Sequence, residues 1–255
     1  MANVQSLPLL LKELRLSAIA KALPAVVEKA ISEQWEPDIF LAELCEIEVD
    51  HRQDNRLKRL LKESKLPIGK QLALYDFNEV SGVSIQQIKH KAKQLDWLKQ
   101  GHNILIFGAS GLGKTHLASA LGYALIENAI RVKFATSTAI VQELQKAREA
   151  LSLEEALKKL DRYELLILDD IGYVKKSDSE SQVLFELIAH RYERGSLIIT
   201  SNQPFSKWDS IFGDNMMTVA AIDRLVHHSD IFQLQGESYR KKQAMKLNSN
   251  TGQVN

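Results

Sequence analysis

Residues Gly108-Ala109-Ser110-Gly111-Leu112-Gly113-Lys114-Thr115 fit G-x-x-x-x-G-K-[ST], and what flanks them constrains the fold more than any other part of the chain. An apolar run, Ile104 to Phe107, reads as a buried strand. After the loop, Leu117, Ala118, Leu121, Ala124 and Leu125 recur at helical spacing. Strand, glycine-rich loop and helix in that order form a phosphate-binding unit. Glycines at 108, 111 and 113 allow successive N–H groups to converge on one anion, and the helix start adds unpaired donors and partial positive charge. The expected cradle runs from Gly108 through His116. Lys114 would reach the β- and γ-phosphates and the Thr115 hydroxyl would ligate Mg²⁺.

A second buried strand, Leu165-Leu166-Ile167-Leu168, runs straight into Asp169-Asp170, the Walker B pattern. The carboxyl end of such a strand opens on the crevice where ligands bind in parallel α/β sheets. Asp169 would hold Mg²⁺ through its water shell, and Asp170 would orient or deprotonate the attacking water. A third strand, Ser196 to Thr200, ends in Ser201-Asn202, so that the Asn202 amide could touch the γ-phosphate or that water. Asp169-Asp170-Ile171-Gly172 also fits the D-x-x-G of GTPases. The guanine-reading N-K-x-D is not matched by Ser206-Lys207-Trp208-Asp209, which begins with Ser and lies beyond the strand end. ATP is therefore favoured over GTP. A kinase would carry an arginine-rich lid, and none is visible between residues 116 and 195.

Around this core, 255 residues with 45% hydrophobic content suffice for an α/β core plus a smaller helical module. Residues 1–66 read as helices: Leu7 to Leu16, Ser17 to Glu33 interrupted at Pro24, and Pro37 to Glu63. Residues 67–97, with Leu66-Pro67-Ile68-Gly69 and Tyr75-Asp76-Phe77-Asn78, read as a linker and lead-in. The ATPase domain spans 98–247, with strands expected at 104–107, 131–136, 165–169, 196–201 and 231–234. A helix from Asp178, capped by Ser177 and Glu180, should end at Gly195, and residues 248–255 read as a disordered tail. One cysteine, Cys45, excludes a disulfide framework, and no apolar run spans a membrane, so a cytoplasmic location is expected. The histidines show no zinc-ligand spacing. The net charge of +1 conceals a basic cluster, Arg52, Arg56, Lys58, Arg59, Lys62 and Lys65, expected to meet a DNA phosphate backbone with little sequence preference.

Residues 98 to 245 resemble the AAA+ ATPases of the IstB-like and DnaC-like group, bacterial transposition helpers and helicase loaders. The stretches that carry the resemblance are the loop through Ala118, Leu165 to Tyr173, Arg191 to Gly195, Thr200 to Trp208, Ala221 to Leu225 and Gly236 to Arg240. Leu14-Arg15-Leu16 and the segment from Glu46 to Leu61 resemble the helical region of IstB proteins. The resemblance implies an α/β fold, a P-loop AAA+ core with a five-stranded parallel sheet, preceded by a small all-α domain. Too few residues follow Leu234 for a separate C-terminal lid domain, and Arg240 is a candidate substitute for the arginine such a lid supplies. The resemblance also implies that Asn202 is the sensor-1 residue and Arg224 an arginine finger reaching the ATP of a neighbouring copy, with Arg191 and Arg194 as alternatives. The helical stretch 138–159 falls where related initiators and loaders touch DNA, which singles out Lys146 and Arg148, with Lys158 and Lys159 beside them. Many members have Asp-Glu where this chain has Asp169-Asp170, so slow hydrolysis is expected. The function implied is that of an ATP-dependent helper that self-assembles on duplex DNA and recruits or activates a transposase. A helicase loader, and a stand-alone nucleotide enzyme such as a kinase, are the alternatives.

Overall fold

The computed structural model describes residues 4–172, 177–212, 214–239 and 242. Arg240, Tyr173 and the expected disordered tail lie outside them. The chain divides into two units, Met1–Arg59 and Leu60–Asn255.

In the first unit, α1 (Leu7–Glu13) carries Pro8 in its first turn, where the missing N–H has no intrahelical partner to lose. Two further helices follow, α2 (Ser17–Ser32) and α3 (Pro37–Ser64). Leu11, Ile19, Val26 and Leu44 form a small core, with Leu23, Trp35 and Phe40 packed against it. The expected interruption at Pro24 does not occur, and α2 runs through it. An interior proline costs about 3 kcal/mol in an isolated helix, which burial of Ala18, Ile19 and Val26 on both sides of it offsets. From α3, the buried Glu48 carboxylate accepts the N–H groups of Ala18 (2.9 Å) and Ile19 (3.3 Å) and the Nε–H of Arg52 (2.9 Å). It thereby caps the start of α2, which has no cap of its own.

The second unit is built on the expected five-stranded parallel sheet. Its strands are β2 (Asn103–Phe107), β3 (Val132–Thr136), β4 (Leu165–Asp169), β5 (Ser196–Ser201) and β6 (Ser229–Gln233), in the order β3-β4-β5-β2-β6. A short antiparallel pair, β1 (Val80–Ser81) with β7 (Gln235–Gly236), stands apart from it. The apolar runs of β2, β4 and β5 are buried on both faces, as central parallel strands must be. Pairing of Phe107 with Ser201, and of Leu168 with Ile199, brings the carboxyl ends of these three strands side by side. Helices α4 (Ile85–Lys93), α5 (Asp96–Lys99) and α6 (Lys114–Glu127) are followed by α7 (Ser137–Glu149), α8 (Leu153–Leu160), α9 (Asp178–Arg191), α10 (Asp209–Phe212) and α11 (Asn215–Val226). Leu144, Leu157, Val183, Leu187, Phe212 and Leu225 pack with β4 and β5 into the main core.

Several boundaries depart from expectation: the first helix ends at Glu13 instead of Leu16, and the last strand of the five-stranded sheet covers Ser229–Gln233 instead of 231–234. The stretch 138–159 is two helices, because Leu151 takes a left-handed conformation (φ 53°) between them. The Ser177–Glu180 capping box forms, but α9 ends at Arg191, and the left-handed residue after it is Glu193 (φ 57°), not Gly195. Gly195 has another role: a Cβ there would stand 2.5 Å from the Arg191 guanidinium. Among the described residues no helix is long and apolar enough to cross a membrane.

Candidate nucleotide site

The loop between β2 and α6 has the conformation that its glycines permit. Gly111 (φ 87°) and Gly113 (φ 79°) are left-handed, and a Cβ on Gly111 would lie 2.1 Å from the Ser238 hydroxyl. Gly113 caps α6, whose first N–H groups belong to Lys114, Thr115 and His116. Lys114 is buried and its Nζ donates to the carbonyls of Gly108 (2.9 Å) and Ala109 (3.0 Å), across the loop it would serve. The two expected metal ligands meet, the Thr115 hydroxyl donating to Asp169 Oδ2 at 3.0 Å. A carboxylate beside a hydroxyl, next to a ring of amide donors, is an oxygen donor set that suits Mg²⁺ bound together with phosphate.

Thr200, which the sequence reading passed over, ties this site together. Its hydroxyl donates to Asp169 Oδ1 (2.7 Å) and accepts from the Asp170 N–H (2.8 Å). Asp170 itself is left-handed (φ 62°), and its carbonyl accepts from the Ser137 hydroxyl at 2.9 Å. Its backbone is thus fixed from two neighbouring strand ends, in a conformation that asparagine and aspartate tolerate best among side chains with a Cβ. Asn202 is exposed at the tip of β5. It lines, with Asp170, Thr200 and the loop, a cavity of about 520 Å³.

Residues within 69–80, together with Glu237 and Tyr239, line the rest of that cavity. Nothing in the reading of residues 67–97 as a lead-in anticipated this. Tyr75 packs edge-on against Phe77 and against His116, with ring centroids 4.7 and 5.2 Å away. The His116 ring lies 3.1 Å from the Gln71 carbonyl, and burial, more than that contact, shifts its pKa below the usual histidine value. The β1–β7 pair, the ion pair of Lys242 with Glu79, and the bond from the Tyr239 N–H to the Gly111 carbonyl (3.1 Å) hold this wall against the loop.

The expected arginines separate. Arg191 is buried, and its guanidinium donates to the carbonyls of Leu160, Tyr163, Glu164 and Ser196 at 3.0–3.3 Å. A side chain so enclosed cannot reach a neighbour, which removes it as a finger. Arg194 is exposed in the turn before β5, at the opposite end of that strand from Asn202. Arg224, half-buried on α11, donates to the Ala220 carbonyl (2.8 Å) and lies over the Phe185 ring, 5.3 Å from its centroid. It does not line the cavity of its own chain.

Of the expected DNA contacts, Arg56, Lys58, Arg59 and Lys62 are exposed on α3, whereas Arg52 is engaged with Glu48 and the Arg15 carbonyl. Lys146 and Arg148 are exposed on α7, Arg148 lying 3.7 Å from Glu186. Glu193, His227 and His228 bring one potential metal-ligand atom each within 4.8 Å of one another, a grouping that sequence spacing does not display.

Residues 9–247 match the family model described as IstB-like ATP binding protein. An insertion-sequence ATP-binding protein of Sinorhizobium fredii is 48% identical over 96% of this chain and 83% of its own length. Among solved structures, that of the DnaC helicase loader has a TM-score of 0.55 at 19% identity, over 66% of this chain and 98% of that one. AMPPCP-bound DnaA from Aquifex aeolicus has 0.56 at 18%, over 75% and 57%. These two likenesses are likenesses of fold.

Proposed function

The chain belongs to the family of IstB-like ATP-binding proteins, and on that premise we propose that it is an ATP-dependent transposition helper that assembles on duplex DNA and recruits or activates a cognate transposase. The observation that carries this reading is the Asp169 carboxylate, held by Thr115 from the phosphate loop and by Thr200 from the neighbouring strand. That arrangement would hold a Mg²⁺ ion, which would offset the negative charge of the phosphates. In this mechanism the loop N–H groups and Lys114 bind the phosphates, and Thr115 and Asp169 would hold the metal. Asp170 orients the attacking water, and Asn202 touches it or the γ-phosphate. Arg224 of a second copy stabilises the charge that develops as the phosphoryl group leaves, so that hydrolysis requires assembly. Names of relatives as insertion-sequence ATP-binding proteins support the transposition context. Exposed basic residues on α3 and α7 support a sequence-independent grip on phosphates.

The test is assembly on long duplex DNA, followed by light scattering and microscopy with ATP, without it, and with Lys114→Ala. Large assemblies that need both ATP and Lys114, and that capture a cognate transposase, are expected. Assembly indifferent to ATP overturns the proposal, and capture of a hexameric helicase instead of a transposase would make the chain a loader.

A further inference from the structure

At the opposite end of the sheet from the phosphate loop, three side chains with metal-ligand atoms come together. Glu193 lies in the turn before β5, His227 caps the end of α11 and His228 precedes β6. All three are exposed, and one ligand atom from each lies within 4.8 Å of the other two. No other trio of His, Cys, Asp or Glu among the described residues does the same. Since β5 is six residues long, this cluster stands about 20 Å from Asn202 and is no part of the nucleotide site.

The backbone holds the three donors in place. The His228 carbonyl accepts from the Asn103 N–H (2.7 Å) at the start of β2, and the His227 N–H donates to the Asp223 carbonyl (3.0 Å). Glu193 is left-handed (φ 57°), and a Cβ on Gly101 would stand 3.1 Å from its backbone, so the turn is packed against residue 101. The imidazoles of His227 and His228 are close in space as well as in sequence, with ring centroids 4.0 Å apart. Tyr192 Oη lies 2.9 Å from His227 Nδ1 and fixes that ring, leaving Nε2 for a ligand. A hydrogen bond to the second ring nitrogen is the usual support of a metal-bound histidine.

Two imidazoles and a carboxylate match Zn²⁺, which takes nitrogen and oxygen donors at about 2.0–2.2 Å and, with three protein ligands, leaves a fourth position to water. Mg²⁺ and Ca²⁺ prefer oxygen donors alone. Around a tetrahedral ion such donors stand roughly 3.3 Å apart. Closure from within 4.8 Å takes only small rotations of exposed side chains.

We propose that Glu193, His227 and His228 form a zinc site, with Tyr192 as the residue that positions His227. Bound zinc ties the turn before β5 to the end of α11, and so braces the helix that carries Arg224.

Titration of Zn²⁺ into the untagged, metal-free full chain under saturating Mg²⁺ tests this, with a zinc-binding dye as competitor and thermal melts beside it. One Zn²⁺ per chain and a higher melting temperature with the metal are expected. The double variant His227→Ala, His228→Ala and the single variant Glu193→Ala should each lose the zinc and the stabilisation, while melting like the wild type without metal. Tyr192→Phe should keep the stoichiometry and the metal-free melting temperature but bind zinc about tenfold more weakly. Asp169→Asn, at the nucleotide site, should bind zinc as the wild type does. X-ray absorption at the zinc edge of the wild-type protein reads the same site without any substitution, and two imidazole ligands are expected. Absence of zinc binding, binding that survives the double histidine variant, loss of binding in Asp169→Asn, or zinc without imidazole ligands would each overturn the inference.

Discussion

Thr200 donates to the carboxylate of Asp169 and accepts from the N–H of Asp170, so a single hydroxyl sets the relation between the residues proposed to hold the metal and to orient the water. Thr200→Val keeps the shape and removes both bonds. It is expected to destabilise the protein by about 1–3 kcal/mol, as for unpaired buried polar groups, and to raise the Mg²⁺ concentration needed for half-maximal hydrolysis. Thr200→Ser should restore both, and denaturant melts with a Mg²⁺ titration of ATPase activity read the two effects. Asp170→Asn leaves the left-handed backbone acceptable and removes the base, so ATP binding should persist while turnover falls by about 10²–10⁴-fold. Phosphate release under saturating ATP measures it. The letters of the phosphate loop, Asp169 and Asn202 were legible because each lies at a strand end with a recognisable local pattern. Thr200 was not, since a threonine inside an apolar strand looks like any β-branched residue until the neighbouring strand is in register. Tyr75 was hidden for a similar reason: its partners, Gly113 and His116, are distant in sequence, and only the fold makes a cavity wall of it.

At the level of elements, the helices and strands followed from periodicity, and the departures have local causes. Gly195 looked like a helix stop, yet it is the space into which the Arg191 guanidinium fits while bonding four carbonyls at the ends of α8, β4 and β5. Gly195→Ala must displace that guanidinium, and a loss of about 1–3 kcal/mol is expected, the usual penalty of overpacking, read as a fall in the thermal midpoint. In the first unit, burial pushes the Glu48 pKa up, but the bonds from Arg52, Ile19 and Ala18 outweigh it and leave the pKa below the ordinary glutamate value of 4.5. A carboxyl whose folded pKa is depressed contributes stability above its unfolded pKa and loses it as the pH falls through the folded one. The cap on α2 should therefore weaken below about pH 4.5. Helical circular dichroism of the full chain between pH 6 and 3, compared with Glu48→Gln, checks it: the variant should show less of this acid-dependent loss.

For the whole molecule, the proposed sharing of ATP between copies makes a claim that no single subunit can satisfy. Arg224→Ala should bind ATP normally yet hydrolyse it poorly, and Lys114→Ala should fail to bind. An equimolar mixture of the two is expected to regain part of the activity, because Lys114→Ala still offers Arg224 to its neighbour's occupied site. Absence of any recovery, in an ATPase assay on assembled duplex, would place the finger elsewhere, with Arg194 next in turn. The short β1–β7 ribbon zips residues 80–81 to residues 235–236 beside the phosphate loop. The segment just after Leu234 is thus no mere appendage: trimming the chain there, or loading a bulky affinity tag close behind Gly236, amounts to editing the ligand chamber.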